Sequence, residues 1–287
     1  MKKLIIIIIA TAFAVLPQFL NAQVKTVKSG GKKEVLDRSV RPQPAPAPVI
    51  NIGKYESFEL DNGLKVFVVE NHKIPRISYS LILDYNPVPE GNMAGMADFA
   101  GQMLRTGTTN LTKDELDEAI DFIGADLSTS STGVYASALK KHNGQLLTLM
   151  ADIVMNPSFK EEELAKLKTQ AISGLKAQEN DPDAISDRIS KLLVYGAAHP
   201  YGESMTEKSV ENISADHCRA FYQAFFKPNI GYMAIVGDIT KAEAMDLMQK
   251  HFGNWKKSEV IQFMPETPAL PASNIVAIVD RPGAVQT

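Results

Sequence analysis

From Tyr55 onward the apolar positions run first with a period of two and then with helical spacing. Tyr55-Glu-Ser-Phe-Glu-Leu60 alternates as a strand, Asp61-Asn-Gly63 carries the chemistry of a tight turn, and Leu64-Lys-Val-Phe-Val-Val69 returns, which predicts a hairpin. A strand over Arg76–Asp84 follows. Helices are announced by their caps: Thr112-Lys-Asp-Glu115, Ser158-Phe-Lys-Glu161 and Thr240-Lys-Ala-Glu243 read as capping boxes, in which the first side chain and the last cover each other's free backbone N–H groups. Asp181-Pro182 adds a cap with proline at the first helical position, and Ser214 starts another helix. Asp126–Ser131 and Gly133–Leu139 read as short β segments, and Ile230–Val236 and Ile275–Val279 as buried strands. Strand pairs and grouped helices, without strict alternation of the two, predict an α+β domain.

Two predicted helices carry the candidate chemistry. In Gly95-Met-Ala-Asp-Phe-Ala-Gly-Gln-Met-Leu-Arg-Thr-Gly-Thr108, residues Met96, Phe99, Ala100, Met103 and Leu104 form an apolar face. Asp98, Gln102 and Arg105 form a polar stripe opposite, read as a hydrogen-bonded group. In the later helix, Leu164, Leu167, Ala171 and Gly174 follow steps of three and four, which puts Gly174 on the expected inward face. The histidines are His72, His142, His199, His217 and His251. No two lie within a helical turn of each other, so no pair can share a metal from one helix face.

These segments resemble the first domain of the M16 family, the pitrilysin, insulinase and mitochondrial processing peptidase group. There a Gly-x-x-His-x-x-Glu-His-Met-x-x-x-Gly-Thr helix holds zinc through its histidines, with the Glu as general base on the metal-bound water. Asp98, Gly101 and Gln102 stand at the His, Glu and His positions, and Gly174 at the later Glu ligand. Further blocks carry the resemblance in family order: Asp61-Asn-Gly-Leu-Lys-Val-Phe-Val68, Gly124-Ala-Asp-Leu-Ser-Thr129, His199-Pro-Tyr-Gly202, Phe225-Phe-Lys-Pro-Asn-Ile230 and Val236-Gly-Asp238.

The resemblance implies a mainly antiparallel sheet covered by helices. It also implies that Asp98, Gly101, Gln102 and Gly174 are degenerate positions, with no catalytic residue and no metal in this chain. The expected role is a noncatalytic, peptide-binding or chamber-completing subunit, partnered by a catalytic M16 homologue that holds the zinc. The family's peptide-receiving edge corresponds to Leu127, Ser128, Thr129 and Ser130, where an extended substrate adds as a strand. Two alternatives stand beside this: an active M16 peptidase with its metal site beyond this sequence or of unusual ligation, and a stand-alone peptide-binding scaffold. Restoring Asp98→His, Gly101→Glu, Gln102→His and Gly174→Glu is expected to create tight zinc binding if family geometry is kept.

Composition narrows the compartment and the partners. A formal charge of -3, more acidic once Lys2 and Lys3 are removed, argues against a nucleic-acid binder. Cys218 is the only cysteine, so no disulfide staples the chain. Residues 1–22 read as a secretory signal peptide: Lys2 and Lys3, an apolar run from Leu4 to Leu16, Pro17, and a cleavage site at Leu20-Asn-Ala22. A membrane anchor is the competing reading, disfavoured by the short apolar run. The expected product is an exported, bacterial periplasmic protein with no stable membrane span. Residues 23–52, with Ser29-Gly-Gly-Lys-Lys33 and Pro42, Pro44, Pro46 and Pro48, read as a flexible, proline-rich arm. A domain is expected over 53–262, a linker over 263–273, and the truncated opening of a second, similar domain over 274–287.

Overall fold

In the computed structural model, which describes residues 53–269 and 273–279, the first hairpin forms where its turn chemistry places it. β1 (Glu56–Glu59) and β2 (Lys65–Glu70) pair antiparallel. Gly63 takes φ +89° in the turn, a conformation open to glycine without steric cost. Asn62 is buried, and its side-chain amide donates to the Phe252 and Trp255 carbonyl oxygens at 2.8 and 3.1 Å. The turn therefore also fastens the hairpin to residues near the C-terminal end of the domain.

β3 (Arg76–Leu83), β4 (Asp126–Ser130), β5 (Gly133–Leu139) and β6 (Gly231–Gly237) complete a sheet in the order β1-β2-β6-β3-β5-β4. Every neighbouring pair is antiparallel except β2 with β6, so the sheet is mainly antiparallel, as expected. Side chains alternate across it: in β3, Ile77, Tyr79, Leu81 and Leu83 are buried, while Ser78 and Ser80 are half-buried and Ile82 is exposed.

Helices bring the apolar cover: α1 (Met96–Met103), α2 (Lys113–Phe122), α3 (Asn143–Met155), α4 (Glu161–Gln178), α5 (Pro182–Tyr195), α6 (Glu207–Asn212), α7 (Ala215–Phe225) and α8 (Lys241–Phe252). α3 packs on β5, α8 on α3, and α1 on both α7 and β4. Leu146, Leu147, Met150 and Ile153 of α3 join the strand residues in one core. Each such fully buried side chain contributes about 1.5–3 kcal/mol relative to exposure. Among the described residues no helix is long and apolar enough to cross a membrane.

The caps at Thr112, Ser214 and Thr240 form as reciprocal boxes, and Asp181 accepts the Asp183 N–H ahead of Pro182. Ser158 does not cap. α4 starts at Glu161 with Lys160 at its N-cap and no side-chain cap there, and the Ser158 hydroxyl is buried with no hydrogen-bond partner among the described residues. The reason is upstream: Pro157 bridges to Thr108 and the Ser158 N–H donates to the Gly107 carbonyl at 3.0 Å, which holds residue 158 in an extended contact. Glu161, the intended partner, instead accepts the Ala215 N–H at the start of α7, at 2.9 Å.

Ile275–Val279 is not a buried strand. These residues lie outside the sheet and are exposed, with Ile278 at 88%, because no described strand lies beside them to supply ladder bonds. The signal peptide of residues 1–22, the arm through residue 52, linker residues 270–272 and the stretch 280–287 fall outside the described residues.

Candidate functional site

The site region is built around the start of α1. Gly95 precedes the helix at φ +102°, and its N–H, with those of Met96 and Ala97, points at the Glu90 carboxylate at 2.5, 3.1 and 2.7 Å. A carboxylate there satisfies unpaired helix N–H groups and suits the positive end of the helix dipole. Burial raises the Glu90 carboxyl, while those backbone donors pull it down. Glu203 in turn accepts the Glu90 and Gly91 N–H groups, both at 2.8 Å, which ties the loop after α5 to the same corner. Sequence reasoning missed both acids because each caps from outside the N-cap pattern. A cavity of about 280 Å³ opens beside them, lined in part by Tyr85, Glu90, Asp98, Ser131, Glu203 and Phe221.

Of the four motif positions, Asp98, Gln102 and Gly174 are exposed and Gly101 is buried. Asp98 and Gln102 make no side-chain hydrogen bond among the described residues. Arg105 does not join them. Its guanidinium donates to the Leu127 carbonyl at 3.1 Å and to Asp117 at 2.9 Å, so the expected hydrogen-bonded stripe of Asp98, Gln102 and Arg105 is not formed. Partial desolvation at the cavity mouth raises the Asp98 carboxyl.

Gly101 is buried inside α1. A Cβ at that position would lie 2.8 Å from the Ser130 carbonyl oxygen and closer still to the Ser130 carbonyl carbon and the Ser131 nitrogen. Gly174 is the opposite case and corrects the expected inward face. It is exposed, and a Cβ there would meet nothing within 4 Å. The buried stripe of α4 runs from Leu164 through Leu167 to Ala171, Ile172 and Leu175, and Gly174 falls to its solvent edge.

These residues do not fit a zinc ion. Zinc sites draw on imidazole nitrogen, thiolate sulfur and carboxylate oxygen arranged tetrahedrally. Here the positions offer one carboxylate, one neutral amide and two glycines. Among the described residues no group of three or more His, Cys, Asp or Glu is placed to hold a metal ion. The lone thiol, Cys218, is buried, and burial pushes it up to about 12, which leaves it protonated and inert.

Among the described residues β4 lies at the outer edge of the sheet, paired only with β5. Of its residues, Leu127 points into the core at 7% exposure, Ser128 and Ser130 are exposed, and Thr129 is intermediate. The edge is not free along its whole length. Arg105 already occupies the Leu127 carbonyl, and the Ser130 backbone abuts α1 at Gly101. Between them, Thr129 has its backbone N–H and C=O directed away from β5, while those of Ser128 face Tyr135.

An α+β sheet of this order, with a helix laid against its edge strand, defines the class of fold, and comparison with known proteins supplies the family. Residues 89–198 match the family model described as insulinase (peptidase family M16), and residues 212–286 match the model described as peptidase M16 inactive domain. The chain belongs to the M16 peptidase family. It is 24% identical over 208 residues to the uncharacterized zinc protease YmxG of Bacillus subtilis, covering 69% of this chain and 50% of that protein. It is 23% identical over 216 residues to the non-peptidase homolog YmxG of Helicobacter pylori, covering 72% and 48%. The solved peptidase M16 inactive domain from Pseudomonas fluorescens superimposes with a TM-score of 0.67 at 23% identity, over 75% of this chain and 54% of that one. The chain thus spans about half the length of the curated relatives it matches. The two family models divide between residues 198 and 212, yet residues from both sides build one sheet, since β6 inserts between β2 and β3.

Proposed function

We propose that this chain is a noncatalytic subunit of an exported M16-type metallopeptidase assembly, completing the chamber around an extended peptide while a separate M16 chain with intact ligands holds the zinc and cuts. The observation that carries this reading is the set Asp98, Gly101, Gln102 and Gly174. Its members lack both a set of donors suited to zinc and a base for water, and the one that stands at the base position, Gly101, is packed against backbone. The intact fold around them supports retention for another purpose. The Helicobacter pylori relative, named a non-peptidase homolog, is in keeping with it.

Peptide contact, on this reading, is made along the β4 edge of Leu127, Ser128, Thr129 and Ser130, through the outward-facing N–H and C=O of Thr129, since main-chain hydrogen bonds tolerate many sequences. Export to a bacterial periplasm is inferred from the signal-like residues 1–22 and is compatible with the single cysteine.

The test is to purify the protein and assay peptidase activity alone and mixed with an intact M16 homologue from the same genome. The expected result is no cleavage alone, a stable complex on mixing, and cleavage that exceeds that of the homologue by itself. Chelator-sensitive cleavage by this chain alone would overturn the reading. Peptide binding without any association with the homologue would replace it with a stand-alone scaffold.

A further inference from the structure

Interior helix positions favour alanine over glycine, because glycine gives up more backbone freedom. α1 nevertheless has glycine at 101 in its third-last position, buried, with a φ that any residue could adopt. Backbone conformation therefore does not require glycine there. Space does: the missing Cβ would stand 2.8 Å from the Ser130 oxygen and nearer to the peptide between Ser130 and Ser131, and a backbone group cannot swing aside as a flexible side-chain end can.

The same turn is anchored on its other flanks. The Tyr85 hydroxyl donates to the Ser131 carbonyl at 2.8 Å, and the Leu83 N–H donates to the Thr132 carbonyl at 2.8 Å. Arg105, one helical turn beyond Gly101, donates to the Leu127 carbonyl of β4. The turn is thus pinned by β3, by the residues just after it, and by α1.

We propose that Gly101 is a latch: its lack of a side chain lets α1 dock directly on the β4–β5 turn, and that contact occupies the room a general-base side chain would need. The loss of the base is therefore built into the packing and is not a vacancy awaiting a carboxylate. Two consequences follow that are independent of any role beside a catalytic partner. The end of the β4 edge is fixed by α1, so strand addition stops at Thr129. Restoring four family residues does not restore a site, because Gly101→Glu has to displace the turn before its carboxylate reaches anything.

The experiment compares thermal melts of Gly101→Ala and Gly174→Ala, with amide hydrogen exchange at Ser130–Thr132 as the local readout. Both replace a helical glycine, so helix propensity alone raises both melting temperatures. The latch predicts opposite signs: Gly101→Ala melts several degrees lower and exchanges faster at Ser130–Thr132, while Gly174→Ala melts higher with exchange at the turn unchanged. If Gly101→Ala melts at or above the parent with unchanged exchange at the turn, the latch is wrong. Alanine is the deciding variant because it adds one methyl and keeps the fold measurable even where Gly101→Glu does not fold.

Discussion

Two glycines stand where the M16 pattern calls for glutamates, and their surroundings could hardly differ more. Gly101 is walled by the Ser130–Ser131 backbone, whereas Gly174 has nothing within 4 Å of where its side chain would begin. At one of these positions the space for a side chain is filled by backbone, and at the other it is open. A helix position can thus lack a side chain in two physical settings, and only the second leaves room for one by a single substitution. The same contrast appears in the acids nearby. Glu90 and Glu203 are committed to backbone N–H groups, while Asp98 has no hydrogen-bond partner among the described residues.

The largest effect is expected from Gly101→Glu. It combines overpacking with burial of an unpaired carboxylate and should cost about 3 kcal/mol or more, read as a lower urea midpoint or as failure to fold. Gly101→Ala should cost about 1–3 kcal/mol despite its better helix propensity. Equal stability of the two proteins in urea would erase the difference between the glycines. Arg105→Ala comes next. It removes the donor to Leu127 and the ion pair with Asp117, at 2.9 Å and about one-third exposed on each side, and should cost about 1–2 kcal/mol. Faster hydrogen exchange in Asp126–Ser130 would localise that loss to the edge strand.

Gly174→Ala should stabilise by about 0.5–1 kcal/mol, and a destabilised variant would show that the space around α4 is needed. The smallest effect concerns pH. Partial desolvation raises the folded carboxyl of Asp98 above its ordinary value, so the folded state favours the protonated form. That contribution is complete below the unfolded carboxyl's titration and is lost as pH rises through the folded one. Asp98→Asn should therefore stabilise slightly at neutral pH and not at all in acid; a benefit that grows as the solution is acidified would reverse the sign.

Elements whose signals are local were legible in the chain. The Asp61–Gly63 turn, the boxes at Thr112 and Thr240, and the proline-led start of α5 each depend on residues within a few positions of one another, and each forms. Local signals failed where a distant contact outbid them. Ser158 is drawn into the Gly107 and Thr108 bridge, and Glu161 is taken by α7. The Thr206 box went unseen because its third helical residue is Ser209 in place of an acid or amide. Ile275–Val279 has strand composition but no strand beside it among the described residues.

At the site, residue types were readable and their environments were not. Asp98, Gly101, Gln102 and Gly174 could be assigned to motif positions, and β4 to a sheet edge. The contact between residue 101 and the turn after β4, the capture of the Leu127 carbonyl by Arg105, and the exposure of Gly174 all depend on how α1, α4 and the hairpin pack in three dimensions.

The central claim is that this chain contributes an M16 fold without an M16 metal site, and its most direct test is zinc titration of the purified protein by calorimetry, followed by metal analysis after dialysis. The account predicts no saturable binding in the micromolar range or tighter, and far less than one zinc per chain retained. One tightly held zinc per chain, released only by a strong chelator, would contradict it.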